Sequence, residues 1–305
     1  MHEIILKLIK LFMSCVLVIT SISACDLVRL PQHEYYPTIV ATDFAVGFNR
    51  IPFVLTDIEG NYLENQTILV SISSVDNPSH KESSFVEAEY HEIEASTPHL
   101  HLDGFVHEHK QTRGFYLLPS VAINYSGLWV AEFNVKSKAN LSVTQNAVFE
   151  VRDTSIAIAL GDDAPLSRNP ALSEQILFAD VSSRNVPSDK LHQLSVEQAL
   201  MSRTPLIVVF ASPRFCISAL CGPAVDLIEE VQLEFEDRVN FIHIEPWDLS
   251  IARSEGRLIP SKWAKEWNLP SEPWVFLIGP EGRVAARFEG PVSKDELTKK
   301  IQEIL

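Results

Sequence analysis

The sequence predicts two domains of different class, an all-β domain followed by an α/β domain. Three observations predict it. The chain has 305 residues, a length that suits two domains better than one. Between Thr38 and Val151, short apolar segments alternate with turn residues, the pattern of a sandwich of strands. From about residue 190 onward, apolar runs and helical spacings follow one another in the order β-α-β-α-β-β-α. Hydrophobic residues make up 46% of the chain, enough for a packed core in each part.

The first 24 residues read as a targeting segment. Lys7 and Lys10 precede the apolar run Leu11–Thr20, which is too short to cross a bilayer comfortably. Ile22-Ser23-Ala24-Cys25 resembles the bacterial lipobox, in which small residues precede a lipidated cysteine. The resemblance implies cleavage before Cys25 and diacylation of its sulfur. The mature chain would then be lipid-anchored to the cell membrane on its extracytoplasmic side, in the periplasm or on the outer face. The alternative is an ordinary secretory signal or an uncleaved anchor. Residues 25–37 then form a tether.

Residues 38–152 carry the strand signals. Pro52–Thr56 and Thr67–Ile72 flank a turn at Asp57–Asn61. Gly114–Leu118, Gly127–Val135 and Ala147–Val151 follow. In the second of these, Trp129, Ala131, Phe133 and Val135 recur at strand period and share one face. The Gly-x-Tyr and Gly-x-Trp strands resemble those of immunoglobulin-like domains in bacterial periplasmic proteins.

This region also holds half of the ten histidines: His91, His99, His101, His107 and His109. His99, His101, His107 and His109 flank Asp103-Gly104, a strong hairpin signal. Imidazole is the commonest zinc and copper ligand, and alternate residues of a strand share a face. A two-residue turn at Asp103-Gly104 pairs His101 with Val106 and sends the two histidine pairs to opposite faces. A three-residue loop ending at Phe105 pairs His101 with His107 and converges all four on one face. Loop length therefore decides between a copper or zinc site and a solvent-facing hairpin.

Residues 153–189 form a connector, rich in loop formers from Gly161 to Pro170. Ser195-Val-Glu-Gln198 is a capping box that opens a helix. Pro205–Ala211 is a short, β-branched, unbroken apolar run, suited to a strand covered on both faces. Two cysteines follow, Cys216 and Cys221, and then Gly222-Pro223 and the helical spacing Val225, Leu227, Ile228, Val231, Phe235. A thiolate at the start of a helix is favoured by the helix dipole. Val239–Glu245 reads as a strand and Ser261–Trp267 as a short helix. Trp274–Ile278, the turn Gly279–Gly282 and Arg283–Glu289 read as a hairpin. Ser293-Lys-Asp-Glu296 caps a terminal helix. His243, Trp263, Trp267 and Trp274 read as core.

Residues 190–305 thereby resemble a thioredoxin-like domain. Phe215-Cys216 is similar to the aromatic–Cys start of that family's active site. Cys221-Gly-Pro-Ala224 is similar to its Cys-Gly-Pro-Cys with the last cysteine replaced, and Pro273 stands where the family has a cis-proline. The resemblance implies a redox-active pair, with Pro273 shaping the groove that receives a partner. Four residues separate the cysteines here, where the family has two. Either Cys216 or Cys221 can take the nucleophile position. No residue clearly matches the family's buried acid.

Of the four cysteines, Cys15 lies in the targeting segment and Cys25 in the lipobox. Cys216 and Cys221 remain, an even pair in an oxidising compartment. A net charge of −15 argues against nucleic acid as a partner. Three functions fit these signals. The first is a thiol–disulfide oxidoreductase using Cys216, Cys221 and Pro273 on protein partners, with no cofactor required. The second is a non-catalytic binding or scaffold lipoprotein with a structural disulfide. The third is a copper-handling protein using the cysteines and the histidine hairpin.

Overall fold

Three sheets organise the described residues. The computed structural model describes residues 35–76, 84–100, 106–136, 142–173, 175–185, 189–216 and 220–305. The targeting segment, Cys25 and most of the tether lie outside the described residues, as does His101.

The first sheet has the order β1-β3-β7-β6, built from β1 (Tyr36–Ile39), β3 (Gly47–Thr56), β7 (Val106–Ile123) and β6 (Glu89–Leu100). The second has the order β2-β9-β8-β4-β5, from β2 (Phe44–Ala45), β9 (Ser142–Arg152), β8 (Gly127–Lys136), β4 (Ile68–Ser74) and β5 (Val86–Glu87). Both contribute to one apolar core, which includes Ile51 and Phe53 of β3, Val70 of β4 and Phe133 of β8. Trp129, Ala131, Phe133 and Val135 are buried as their alternation requires. Tyr116 ties the core to a loop, donating its hydroxyl to Leu63 O at 2.8 Å and accepting the Gln66 N–H at 2.9 Å.

The hairpin of β6 and β7 pairs Leu100 with Val106, His99 with His107 and Thr97 with His109. This register differs from both expected ones; Asp103-Gly104 itself lies outside the described residues. The side chains of His99, His107 and His109 lie outside what is described.

The third sheet has the order β11-β10-β12-β13, from β11 (Asn240–Ile244), β10 (Leu206–Phe210), β12 (Trp274–Ile278) and β13 (Val284–Glu289). β10 is parallel to β11 and antiparallel to β12, and β12 and β13 form a hairpin. The helices of the described residues are α1 (Phe178–Val181), α2 (Val196–Met201), α3 (Cys221–Phe235), α4 (Leu249–Glu255), α5 (Lys262–Glu266) and α6 (Lys294–Ile304). Alternation along β10 explains its unbroken apolar run. Ile207 and Val209 pack with Val225 and Ile228 of α3 and Leu297 of α6. Leu206, Val208 and Phe210 pack with Val196 of α2, Trp267 and Phe276. With both faces covered, no position on the strand can be polar. The capping boxes at Ser195 and Ser293 both form.

Tyr35–Leu305 is one compact unit. Arg50 of β3 holds both carboxylate oxygens of Glu296 on α6 at 2.9 Å. Glu289, at the end of β13, accepts from Thr42 Oγ1 and the Asp43 N–H, each at 2.8 Å. The connector lies against the third sheet: the Gly161 N–H donates to Val284 O at 2.8 Å and the Ala164 N–H to Gly282 O at 2.9 Å.

Candidate functional site

The site forms where three strand ends meet. The last residue of β10, Phe210, stands opposite Ile244 of β11 and Trp274 of β12. The chain leaving β10 at Ala211-Ser212 is therefore flanked by Glu245, just past β11, and by Glu272-Pro273, just before β12. The Glu272–Pro273 peptide is cis.

Ser212 links the two acids. Its N–H donates to Glu272 Oε2 at 2.9 Å and its hydroxyl to Glu245 Oε2 at 2.5 Å. Trp247 Nε1–H donates to Glu272 Oε1 at 2.7 Å. Glu245 Oε1 accepts the Ser183 N–H at 2.5 Å. Ser212 also starts the turn that delivers the first cysteine, since its carbonyl accepts the Cys216 N–H at 2.9 Å.

Cys216 and Cys221 form a disulfide with their Cα atoms 6.0 Å apart. Cys221 is the first residue of α3 and fully buried, whereas Cys216 is half-buried. The helix thus begins at the second cysteine, two residues before Pro223. Both Sγ atoms and a Glu272 carboxylate oxygen lie within 4.8 Å of one another. Among the described residues, these three are the group placed to share a metal ion.

Burial raises the Glu272 carboxyl to a pKa of about 7; the Trp247 and Ser212 hydrogen bonds oppose this, and the Glu245 charge adds to it. Burial likewise raises Glu245 to about 7, against hydrogen bonds from Ser212 and Ser183. Close by, His243 Nε2 sits 2.8 Å from Ala211 O and its Nδ1 3.4 Å from His192 Nε2. Burial lowers His243 to about 3 and His192 to about 4, so both rings are neutral and serve the core.

The structure therefore brings together Cys216, Cys221 and the Glu272-Pro273 peptide. It also supplies the acids that sequence reasoning missed. Glu272 stood beside Pro273 in plain view, but nothing in its neighbours marked it as facing sulfur. Glu245 read as the polar end of a strand. A cleft of about 600 Å³ lies elsewhere, lined by Arg50, His91, Arg287 and Glu296 among others. It does not include the cysteines. Among the described residues no helix is long and apolar enough to cross a membrane. No protein-family model matches the chain, and no curated protein matches it.

Proposed function

We propose that the chain is a thiol–disulfide oxidoreductase tethered outside the cytoplasmic membrane through lipid on Cys25. In this reading residues 38–152 are an immunoglobulin-like domain and residues 190–305 a thioredoxin-like domain. The observation that carries it is a half-buried cysteine bonded to a buried one, with a half-buried carboxyl within 4.8 Å of both sulfurs. The order β10-α3-β11-α4-α5-β12-β13-α6 supports the fold assignment. The disulfide itself suits an oxidising compartment.

Magnitude separates exchange from stapling. The cysteines are only 5 apart in sequence. Closing so short a loop restricts the unfolded chain little and stabilises the fold by about 2 kcal/mol. A pair placed chiefly for stability gains more across a long loop. Opening this one therefore costs about 2 kcal/mol, less than opening a long-loop bridge would.

The chemistry follows from exposure. A partner thiolate reaches Cys216 Sγ, forms a mixed disulfide with it and breaks the Cys216–Cys221 bond. The bonding pair leaves on Cys221 as a thiolate with no water to solvate it. The protonated Glu272 carboxyl gives it a proton and becomes a carboxylate. A second partner thiolate then attacks the partner sulfur of the mixed disulfide, releasing the partner disulfide and the Cys216 thiolate. In reverse, Cys216 attacks a partner disulfide, and Glu272 takes the proton from Cys221 as it resolves the intermediate. Pro273 would shape the groove that receives the partner backbone, as the thioredoxin-like resemblance implies.

The test is the rate of reduction by dithiothreitol, followed by alkylation and mass, and divided by the reductant's thiolate fraction. Glu272 must be protonated to donate. The corrected rate should fall about tenfold between pH about 6 and about 8, as an acid of pKa about 7 ionises. In Glu272→Gln the profile should be flat and lower. A flat profile in the unaltered protein contradicts the role of Glu272.

A further inference from the structure

We infer that the reduced protein binds one zinc ion through Cys216, Cys221 and Glu272, and that disulfide formation expels it. The inference rests on the pair being reducible, as the exchange reading requires. It reads the same cluster for ligation: three ligand atoms, one each from Cys216, Cys221 and Glu272, all within 4.8 Å of one another.

The donor set selects the metal. Two thiolates favour zinc or copper(I), and a carboxylate oxygen shifts the preference from copper(I) to zinc. Three protein ligands leave a fourth tetrahedral position open, as in zinc sites that admit water or substrate. The surroundings hold the carboxylate in place. Trp247 Nε1–H fixes one oxygen at 2.7 Å and the Ser212 N–H fixes the other at 2.9 Å, and each oxygen keeps a lone pair for the ion. Such partners outside the ligand set orient a ligand and tune its affinity. Cys221 opens a helix of 15 residues, whose dipole favours its thiolate. The histidine hairpin is not needed.

The site exists in one redox state only, because in the disulfide each sulfur is bonded to the other. An external dithiol supplies two electrons and two protons, becoming a disulfide itself, and leaves Cys216 and Cys221 as thiols. Zinc then displaces both thiol protons, and the Glu272 proton where it is still bound. With both sulfurs on the ion, Cys216 no longer attacks a partner. Zinc thus holds the reduced protein inactive until it is removed.

The experiment uses the full chain, reduced with a phosphine under argon and titrated with Zn²⁺ against a chromophoric chelator. The expected result is one ion per reduced chain and none per oxidised chain. Cys216→Ser and Cys221→Ser should abolish binding, and Glu272→Gln should weaken it at least about tenfold. A measurement on the unaltered protein guards against variants that fail to fold: Zn²⁺ should slow alkylation of both cysteines, and a chelator should restore it. A blank titration of the reduced chain overturns the inference. So does equal binding by the oxidised chain, or a Glu272→Gln variant that binds as tightly. Disulfide exchange that proceeds in metal-free buffer alongside a blank titration overturns the zinc site alone. A pair that no dithiol reduces overturns both readings.

Discussion

Cys216 and Cys221 differ in one property that decides their roles, which is access. Cys216 is half-buried and Cys221 has no exposed surface. Only the first can meet a protein partner. Cys221→Ser should therefore accumulate a mixed disulfide at Cys216 with a disulfide probe, visible as added mass. Cys216→Ser should accumulate none, and equal trapping by both variants would remove the assignment. The acids make a second prediction. Folding raises Glu245 and Glu272 from 4.5 to about 7, so the folded state binds more protons than the unfolded chain between those values. Stability is then unpenalised below about pH 4.5, falls as pH rises, and carries the full penalty above about pH 7. The buried, neutral His192 and His243 work the other way up to about pH 6.5, so the effect is read as a difference: from pH about 5 to about 8 the thermal midpoint of Glu272→Gln should gain on that of the unaltered protein. A difference that stays constant over that interval contradicts the raised pKa of Glu272. At this scale the sequence was half legible. Cysteines announce themselves by count and spacing. Glu245 and Glu272 become partners only because β11 and β12 end on either side of Ser212, a relation that no local pattern carries.

The contact between β3 and α6 depends on one guanidinium. Arg50 donates to Glu296 through two nitrogens and to Pro291 O at 2.6 Å, and lies 5.7 Å from the Phe115 and Phe288 ring centres. Burial works against the Glu296 charge, but the Arg50 bonds outweigh it and hold that carboxyl below its ordinary range. Arg50→Ala leaves a part-buried carboxylate with only its Ser293 hydrogen bonds and should cost about 2 kcal/mol in chemical denaturation. A loss below about 0.5 kcal/mol would reduce this pair to a surface contact. The interface extends toward the cysteine pair, since Glu289 also accepts from Ser271 Oγ at 2.5 Å, one residue before Glu272. Strands with a clean period were legible, β8 and β10 above all. The helix Leu249–Glu255 was not, although its signals are present. Asp248 caps it, accepting the Ile251 N–H at 3.1 Å, and Gly256 ends it at φ 68°. Its two turns have only Ala252 buried, too little apolar spacing to stand out from a loop. The long hairpin was legible as a hairpin but not in register, because a turn dipeptide does not by itself fix which residues pair across it.

Across the whole molecule, among the described residues two sheets share one core and a third sheet is covered by helices on both faces. What the sequence left open was how the parts meet. That depends on single residues such as Arg50 and Glu289, whose partners lie more than two hundred positions away. The net charge of −15 gives the surface a field that repels acidic partners, so exchange with a basic protein disulfide should be the faster and should slow as salt rises. Equal rates with acidic and basic partners at low salt would remove charge from partner choice. The central claim is that the Cys216–Cys221 bond is made to be opened. The most direct measurement is its reduction potential, from equilibration of the full chain in graded thiol buffers followed by alkylation and mass. A value between about −120 and −270 mV, the range of exchange catalysts, is the predicted result. A value below about −300 mV would mark a structural staple and contradict the account.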